Sequence, residues 1–234
     1  MDMDIKQSII DIPSPINKQI QYFYYDNEGS AVVRAVKNKK IWEKKLYDVY
    51  KDMIQPTDVI LDIGAFIGTH TSLFSCLATL GKVYSFEPCS EPHTCLGLMC
   101  NTNDLDNVEI INKAVSDKNT ETILGTDFDG SSQLCVHHKR KTLPKRNFKK
   151  YQMVQTITID SLNLTKCDMI KIDVEKHEWK VLEGAKNTIS EFRPAIFLET
   201  NRFKINILKL ENWTTNNFYT YKHLKGDDYL LLSI

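Results

Sequence analysis

Val59-Ile60-Leu61-Asp62-Ile63-Gly64-Ala65-Phe66-Ile67-Gly68 is the stretch whose reading decides the fold. Its first five residues are apolar but for Asp62, as in a strand buried on both faces. Gly64 and Gly68 follow at once, where the chain must turn tightly or approach a ligand closely. Leu73, Phe74, Leu77 and Leu80 then recur at helical spacing. A buried strand running through a glycine turn into a helix is the first unit of an α/β fold.

The same alternation extends outward from it. Upstream, Trp42, Leu46, Val49, Tyr50 and Met53 predict a helix over Ile41 to Ile54, ended by Pro56. Downstream, Lys82 to Phe86 reads as a strand, Glu91 to Asn103 as a helix and Val108 to Val115 as a strand. After a polar middle segment come a strand over Val154 to Ile159 and another over Met169 to Asp173. A helix over Trp179 to Ile189 and a strand over Ala195 to Glu199 follow. Phe218 to His223 and Tyr229 to Ile234, joined by Lys225-Gly226-Asp227-Asp228, read as a terminal hairpin. The expected fold is Rossmann-like: a mostly parallel sheet with helices on both faces and a C-terminal antiparallel hairpin. Residues 1–40 are polar, broken by Pro13 and Pro15, and read as an N-terminal arm with some strand character, placed to cover one end of the fold or the substrate pocket. Residues 41–234 form the single domain.

Composition narrows the function classes. The 234 residues are 42% hydrophobic and 26% charged with no net charge, which excludes a general polyanion binder. Cys76, Cys89, Cys95, Cys100, Cys135 and Cys167 contain no Cys-x-x-Cys pair, which argues against a zinc ribbon or redox motif. No secretory signal is evident, so reduced thiols and a cytoplasmic location are expected. No apolar run approaches the roughly 20 residues of a membrane span. His137 to Lys150 is half Lys or Arg and would suit phosphate, although a solvated loop accounts for it equally well. It has little aromatic interleaving, so nucleic acid is not the expected partner.

The strand ends carry the chemistry. Glu87 closes the second strand in Phe86-Glu87-Pro88, where doubly wound folds place an acid on ribose hydroxyls. Counted from Gly64, the positions a dinucleotide fingerprint needs as glycine are Phe66 and Thr69, and no Gly-Lys-Ser/Thr is present. A nucleoside without phosphate fits better, and S-adenosylmethionine, with cationic and ribose groups, suits acids at Asp62 and Glu87. The plainer alternatives are a cap for Asp62 and a surface acid for Glu87.

These stretches resemble the FkbM-type methyltransferase family over roughly residues 40 to 200. The resemblance rests on Val59 to Gly68, Gly81 to Pro88, Asn112 to Asp117, Met169 to Glu175 and Val181-Leu182-Glu183-Gly184-Ala185 with Arg193-Pro194, in order. It implies a class I methyltransferase fold, S-adenosylmethionine as methyl donor, and O-methylation of a sugar, glycan or other small-molecule hydroxyl. Cofactor contacts are implied at Asp62, Gly64, Ala65, Phe66, Gly68, Glu87, Pro88, Ala114, Val115 and Asp173. The family usually has Asn where this chain has Phe66, and Gly where it has Lys176.

Asp173, Glu175 and His177 crowd the end of a later strand, and His177 is the expected general base, with either acid orienting it or the acceptor. As alternatives, Glu175 and His177 cap the next helix and Asp173 serves backbone amides. Asp173, Glu199 and Asn201 offer an oxygen set that would suit Mg²⁺. His70, His93 and His223 are expected to be structural, and Cys89, His93 and Cys95 to be neighbours by chance. Other readings are an RNA or nucleotide methyltransferase using the basic segment, or a non-catalytic interaction module. A homodimer is also compatible with the sequence.

Overall fold

The structure is a computed structural model that describes residues 4–26, 29–127, 132–135, 148–200, 207–224, 226 and 228–234. Its centre is a seven-stranded sheet built from β3 (Val59–Ile63), β4 (Lys82–Phe86), β5 (Val108–Ile111), β10 (Met169–Ile172), β11 (Ala195–Glu199), β12 (Tyr219–His223) and β13 (Asp228–Ser233). The strand order is β12-β13-β11-β10-β3-β4-β5. Pairings from β5 to β11 are parallel, whereas β13 runs antiparallel between β11 and β12. The chain order reverses between β3 and β10, so the crevice at their carboxyl ends is the switch point at which such folds bind ligands.

The helices are α1 (Ala31–Lys37), α2 (Lys44–Met53), α3 (Thr69–Leu77), α4 (Ser90–Thr102), α5 (Glu178–Glu183), α6 (Lys186–Phe192) and α7 (Ile207–Asn216). One core packs Ile63, Phe86, Ile170, Ile172 and Leu198 against Val181, Leu182 and Ile189. Leu46, Tyr50 and Phe74 cover the other face over Ile60, Val83 and Phe197. The helix expected over Trp179 to Ile189 is divided at Gly184, where the Ser116 carbonyl packs in the space a side chain would take.

The strand character expected of the N-terminal arm takes the form of a hairpin. β1 (Ile5–Ile12) and β2 (Lys18–Tyr25) form an antiparallel hairpin whose Ile20, Tyr22 and Tyr24 pack on Leu96 and Met99 of α4. Asn103 clasps it, accepting from Gln21 N at 2.9 Å and donating to Gln21 O at 2.8 Å. The polar middle segment adds a second sheet of β6 (Ala114–Val115), β7 (Glu121–Thr126), β8 (Ser132–Cys135) and β9 (Lys150–Ile157), in the order β6-β9-β7-β8. The expected strand over Val154 to Ile159 thus begins earlier and gives way to a 3₁₀ turn, and Val108 to Val115 is two strands, β5 and β6. Most of the basic segment, residues 137–147, lies outside the described residues. Among the described residues no helix is long and apolar enough to cross a membrane.

Candidate active site

The loop after β3 is pinned on both sides. Gly64 N and Ala65 N both donate to Phe86 O at 3.0 Å, fastening the loop to β4. Gly64 adopts φ 86°, and a Cβ there would collide with the Asp173 carbonyl oxygen at the end of β10. Glycine is therefore required twice, for its backbone angle and for the contact across the switch point. Phe66 also takes a left-handed angle, φ 51°, which a bulky residue adopts only at a cost. That turn aims its amide at Glu87.

Glu87 bridges two loops from the inside. Its Oε2 accepts from Phe66 N at 2.9 Å and its Oε1 from Cys89 N at 2.7 Å. Burial pushes its carboxyl up to about 7, with help from the charges of Asp62 and Asp173 and against the pull of the two amides. The Phe66 amide at the glycine turn is thus committed to a carboxylate, which leaves a pyrophosphate without the donor it would need there.

Above these groups lies a cavity of about 310 Å³. Of the cofactor residues read from the sequence, Gly64, Phe66, Glu87, Pro88, Ala114, Val115 and Asp173 line it. Asp62, Ala65 and Gly68 are not among its lining residues. Asp62 is fully buried beneath the loop, its Oδ2 accepting from Thr71 Oγ1 at 2.6 Å and its Oδ1 without a partner. Ala65 packs in the core under the N-terminal hairpin. Gly68 begins α3 at φ 84°, where a Cβ would collide with Met99 and Leu96 of α4. It lets two helices approach and does not face the cavity.

All three expected catalytic residues, Asp173, Glu175 and His177, do line it. Asp173 sits deep in the fold, yet 31% of its side-chain surface faces open space. Lys171, two residues earlier and almost fully buried, places Nζ 3.1 Å from Asp173 Oδ2. Burial opposes ionisation of Asp173, but the Lys171 ammonium and a hydrogen bond from Glu199 hold its carboxyl below the usual range. Glu199 moves the other way, raised by the Asp173 charge and by burial, so the pair shares one proton, carried on Glu199. Lys171 is raised as well: burial works against its charge and the surrounding carboxylates prevail.

His177 ends the turn before α5, and its Nε2 lies 2.9 Å from Ser116 Oγ. Burial pushes its imidazole down to about 4, so it is neutral at physiological pH. His177 stands at the N-cap position of α5, as the cap alternative expects, but makes no side-chain cap bond. Glu175 and Lys176 precede it at φ 47° and 73°, two successive left-handed residues without glycine.

The oxygen set suggested for Mg²⁺ finds no support. Glu199 is absent from the cavity wall, the Lys171 ammonium already neutralises Asp173, and Asn201 lies outside the described residues. Among the described residues no group of three His, Cys, Asp or Glu side chains is disposed to hold a metal ion. His70 is held by Glu43 through Nε2 at 2.9 Å and His223 by the Gly226 carbonyl, also at 2.9 Å.

Several cavity residues went unread in the sequence. Gly29, Ser30, Ala31 and Val32 bring the N-terminal arm into the wall, and Leu124 comes from the second sheet. Nothing local marks them. Lys171 did carry a signal, as a lone cation inside the buried strand Met169-Ile170-Lys171-Ile172.

A search of curated proteins finds no match. Among solved structures, the chain is similar to the FkbM methyltransferase of Methylobacillus flagellatus (18% identity, TM-score 0.56), covering 76% of this chain but only 44% of that one. It is also similar to a putative caffeoyl-CoA O-methyltransferase from Staphylococcus aureus (15% identity, TM-score 0.54, 89% and 93% covered). A third likeness is to a putative rRNA methylase from Clostridium thermocellum (9% identity, TM-score 0.51, 80% and 92% covered). At these identities the structures establish the fold alone. The sequence pattern of the Methyltransferase FkbM domain, however, matches residues 62–222, well over half of the chain, and the chain therefore belongs to the FkbM methyltransferase family.

Proposed function

We propose that this methyltransferase moves a methyl group from S-adenosylmethionine to a hydroxyl oxygen of a sugar, glycan or other small molecule. The observation that carries the reading is one cavity at the switch point joining Glu87, Ala114 and Val115 to Asp173 and His177. The donor set fits the cofactor: acids for a cationic sulfonium and ribose hydroxyls, apolar walls for adenine, and a loop amide already taken by Glu87. Glu87 would accept from the ribose hydroxyls, Pro88, Ala114 and Val115 would flank the adenine, and Gly64 and Asp173 would border the methionine end.

When bound, S-adenosylmethionine supplies an activated methyl group on sulfur, so much of the remaining task is alignment. Asp173, ionised and open to the cavity, would accept the acceptor's hydrogen bonds and orient it. As the oxygen–carbon bond forms and the carbon–sulfur bond breaks, the hydroxyl proton would pass to neutral His177. The N-terminal arm, residues 1–40, would belong to the same catalytic unit as residues 41–234, because Gly29 to Val32 complete the cavity wall.

Calorimetric titration with S-adenosylmethionine and S-adenosylhomocysteine, with NAD as control, tests the reading. Saturable binding of the first two, weakened in Glu87→Ala, supports it and directs a screen of hydroxyl acceptors. A folded protein that binds neither at millimolar concentration overturns it.

A further inference from the structure

Three polar residues behind His177 form a chain with a defined direction. Asp117 Oδ2 receives Lys180 Nζ at 2.6 Å, and Asp117 Oδ1 lies 3.1 Å from Ser116 Oγ. Ser116 Oγ in turn lies 2.9 Å from His177 Nε2. Burial opposes the charge on Asp117, but its bonds from Lys180 and Ser116 hold its carboxyl below the usual range, so it is a carboxylate and can only accept. The single hydroxyl hydrogen of Ser116 is therefore committed to Asp117. An oxygen with no hydrogen left to give can meet His177 only as an acceptor, so Nε2 must carry the imidazole proton.

We infer that Ser116 and Asp117 are positioning residues that lock His177 in its Nε2–H tautomer and leave Nδ1 as the basic atom of the site. This deepens the function proposed above and rests on it for the role of His177. Neutral imidazole has one donor and one acceptor nitrogen, and its partner selects which is which. The other nitrogen is open. Nδ1 bonds to none of the described residues, yet it is not among the buried atoms left without a partner, as Tyr50 Oη, Asp62 Oδ1 and His70 Nδ1 are. On a residue that lines the cavity, Nδ1 reaches open space.

The support is rigid. Ser116 N donates to Ile157 O at 2.9 Å, and the Ser116 carbonyl packs on Gly184, where no side chain would fit. Lys180 belongs to α5, the helix that His177 precedes, so the ion pair fixes Asp117 to the same element. When Nδ1 takes the proton of an acceptor hydroxyl, the positive charge formed on the ring is stabilised by the bond from Nε2–H to the Ser116 oxygen, which the Asp117 carboxylate polarises. No proton needs to leave the chain for this to work. A tautomer protonated on Nδ1 would present a donor to the acceptor and could not take its proton.

Nitrogen NMR of protein labelled in histidine, with His177→Gln to assign the ring, reads the tautomer directly without any acceptor. The expected result is a protonated Nε2 and an unprotonated Nδ1 in the wild-type protein at neutral pH. In Asp117→Asn the carboxylate no longer commands the Ser116 hydrogen, and the population shifts toward Nδ1–H. Ser116→Ala also loses the bias, whereas Ser116→Thr, which keeps the hydroxyl, retains it. A wild-type ring protonated on Nδ1, or a tautomer unchanged in both Asp117→Asn and Ser116→Ala with the amide spectrum still folded, overturns the inference. Titrating S-adenosylmethionine into the same samples separates the two proposals. Absent binding with the expected tautomer sinks the function reading alone, and intact binding with the wrong tautomer sinks only this one.

Discussion

The Phe66 amide donates to Glu87 Oε2 at 2.9 Å, so the residue in the least comfortable backbone angle of the glycine loop holds the acid at the end of the next strand. The two lie on adjacent strand ends, and each explains the other. Phe66 must turn left-handed to aim its N–H inward, and Glu87 tolerates burial because that N–H and the Cys89 amide face it.

Glu87 makes stability and ligand affinity depend on pH in opposite ways. Its carboxyl rises from 4.5 to about 7 on folding, so the folded protein holds a proton between those values that the unfolded chain has released. Stability contributed by this group therefore falls as pH rises through that window, by about 3 kcal/mol in all. The ribose contact proposed for Glu87 needs the carboxylate, so S-adenosylmethionine should bind up to about tenfold more tightly at pH 8, where the acceptor is ionised, than at pH 6, where it is neutral. Glu87→Gln should flatten both profiles. Denaturant melts and calorimetry across pH 5 to 8 check this, and an unchanged slope in the variant would count against it.

Lys171 is the cation in contact with the Asp173 and Glu199 pair, its Nζ 3.1 Å from Asp173 Oδ2. Lys171→Met should cost about 3 to 5 kcal/mol, since it leaves a buried charge uncompensated. The loss should shrink as pH falls, because Asp173 would then be able to take up a proton. Adding Asp173→Asn to Lys171→Met should recover much of the stability. Urea melts of the two single variants and the double at pH 5 and 8 read all three statements.

Lys176 is exposed and left-handed at φ 73°. Replacing it with glycine removes the steric penalty, while valine increases it. Lys176→Gly should be more stable than Lys176→Val by about 2 kcal/mol, measured by thermal unfolding. Equal stabilities would mean that the turn relaxes freely and stores no strain.

Gly64→Ala tests the contact across the switch point. The new methyl group would collide with the Asp173 carbonyl at a backbone angle that alanine also resists. We expect a loss of about 3 kcal/mol or more and weakened binding of S-adenosylmethionine. Gly97→Ala on α4, where a Cβ meets nothing within 4 Å, is the control and should be neutral or slightly stabilising.

The sequence by itself determined the alternation of strands and helices, the order of Gly64, Glu87 and Asp173 along the chain, and their place at strand ends. These are local properties: period 2 or 3.6 in the apolar residues, and turn chemistry where a strand must stop. Tertiary structure alone decided which of these residues meet the cavity. Asp62 and Gly68 carry the same motif signal as Gly64, but one lies beneath the loop and the other between helices. The strand order put Glu199, at the end of β11, beside Lys171 and Asp173 at the end of β10, and that packing decides which of the two acids keeps a proton. Ser116 and His177 are 61 residues apart and touch only because β6 and the turn before α5 pack together. Periodicity specifies which face of an element is buried. It does not specify which distant segment arrives to cover that face, because that depends on how all the elements fill the same volume at once.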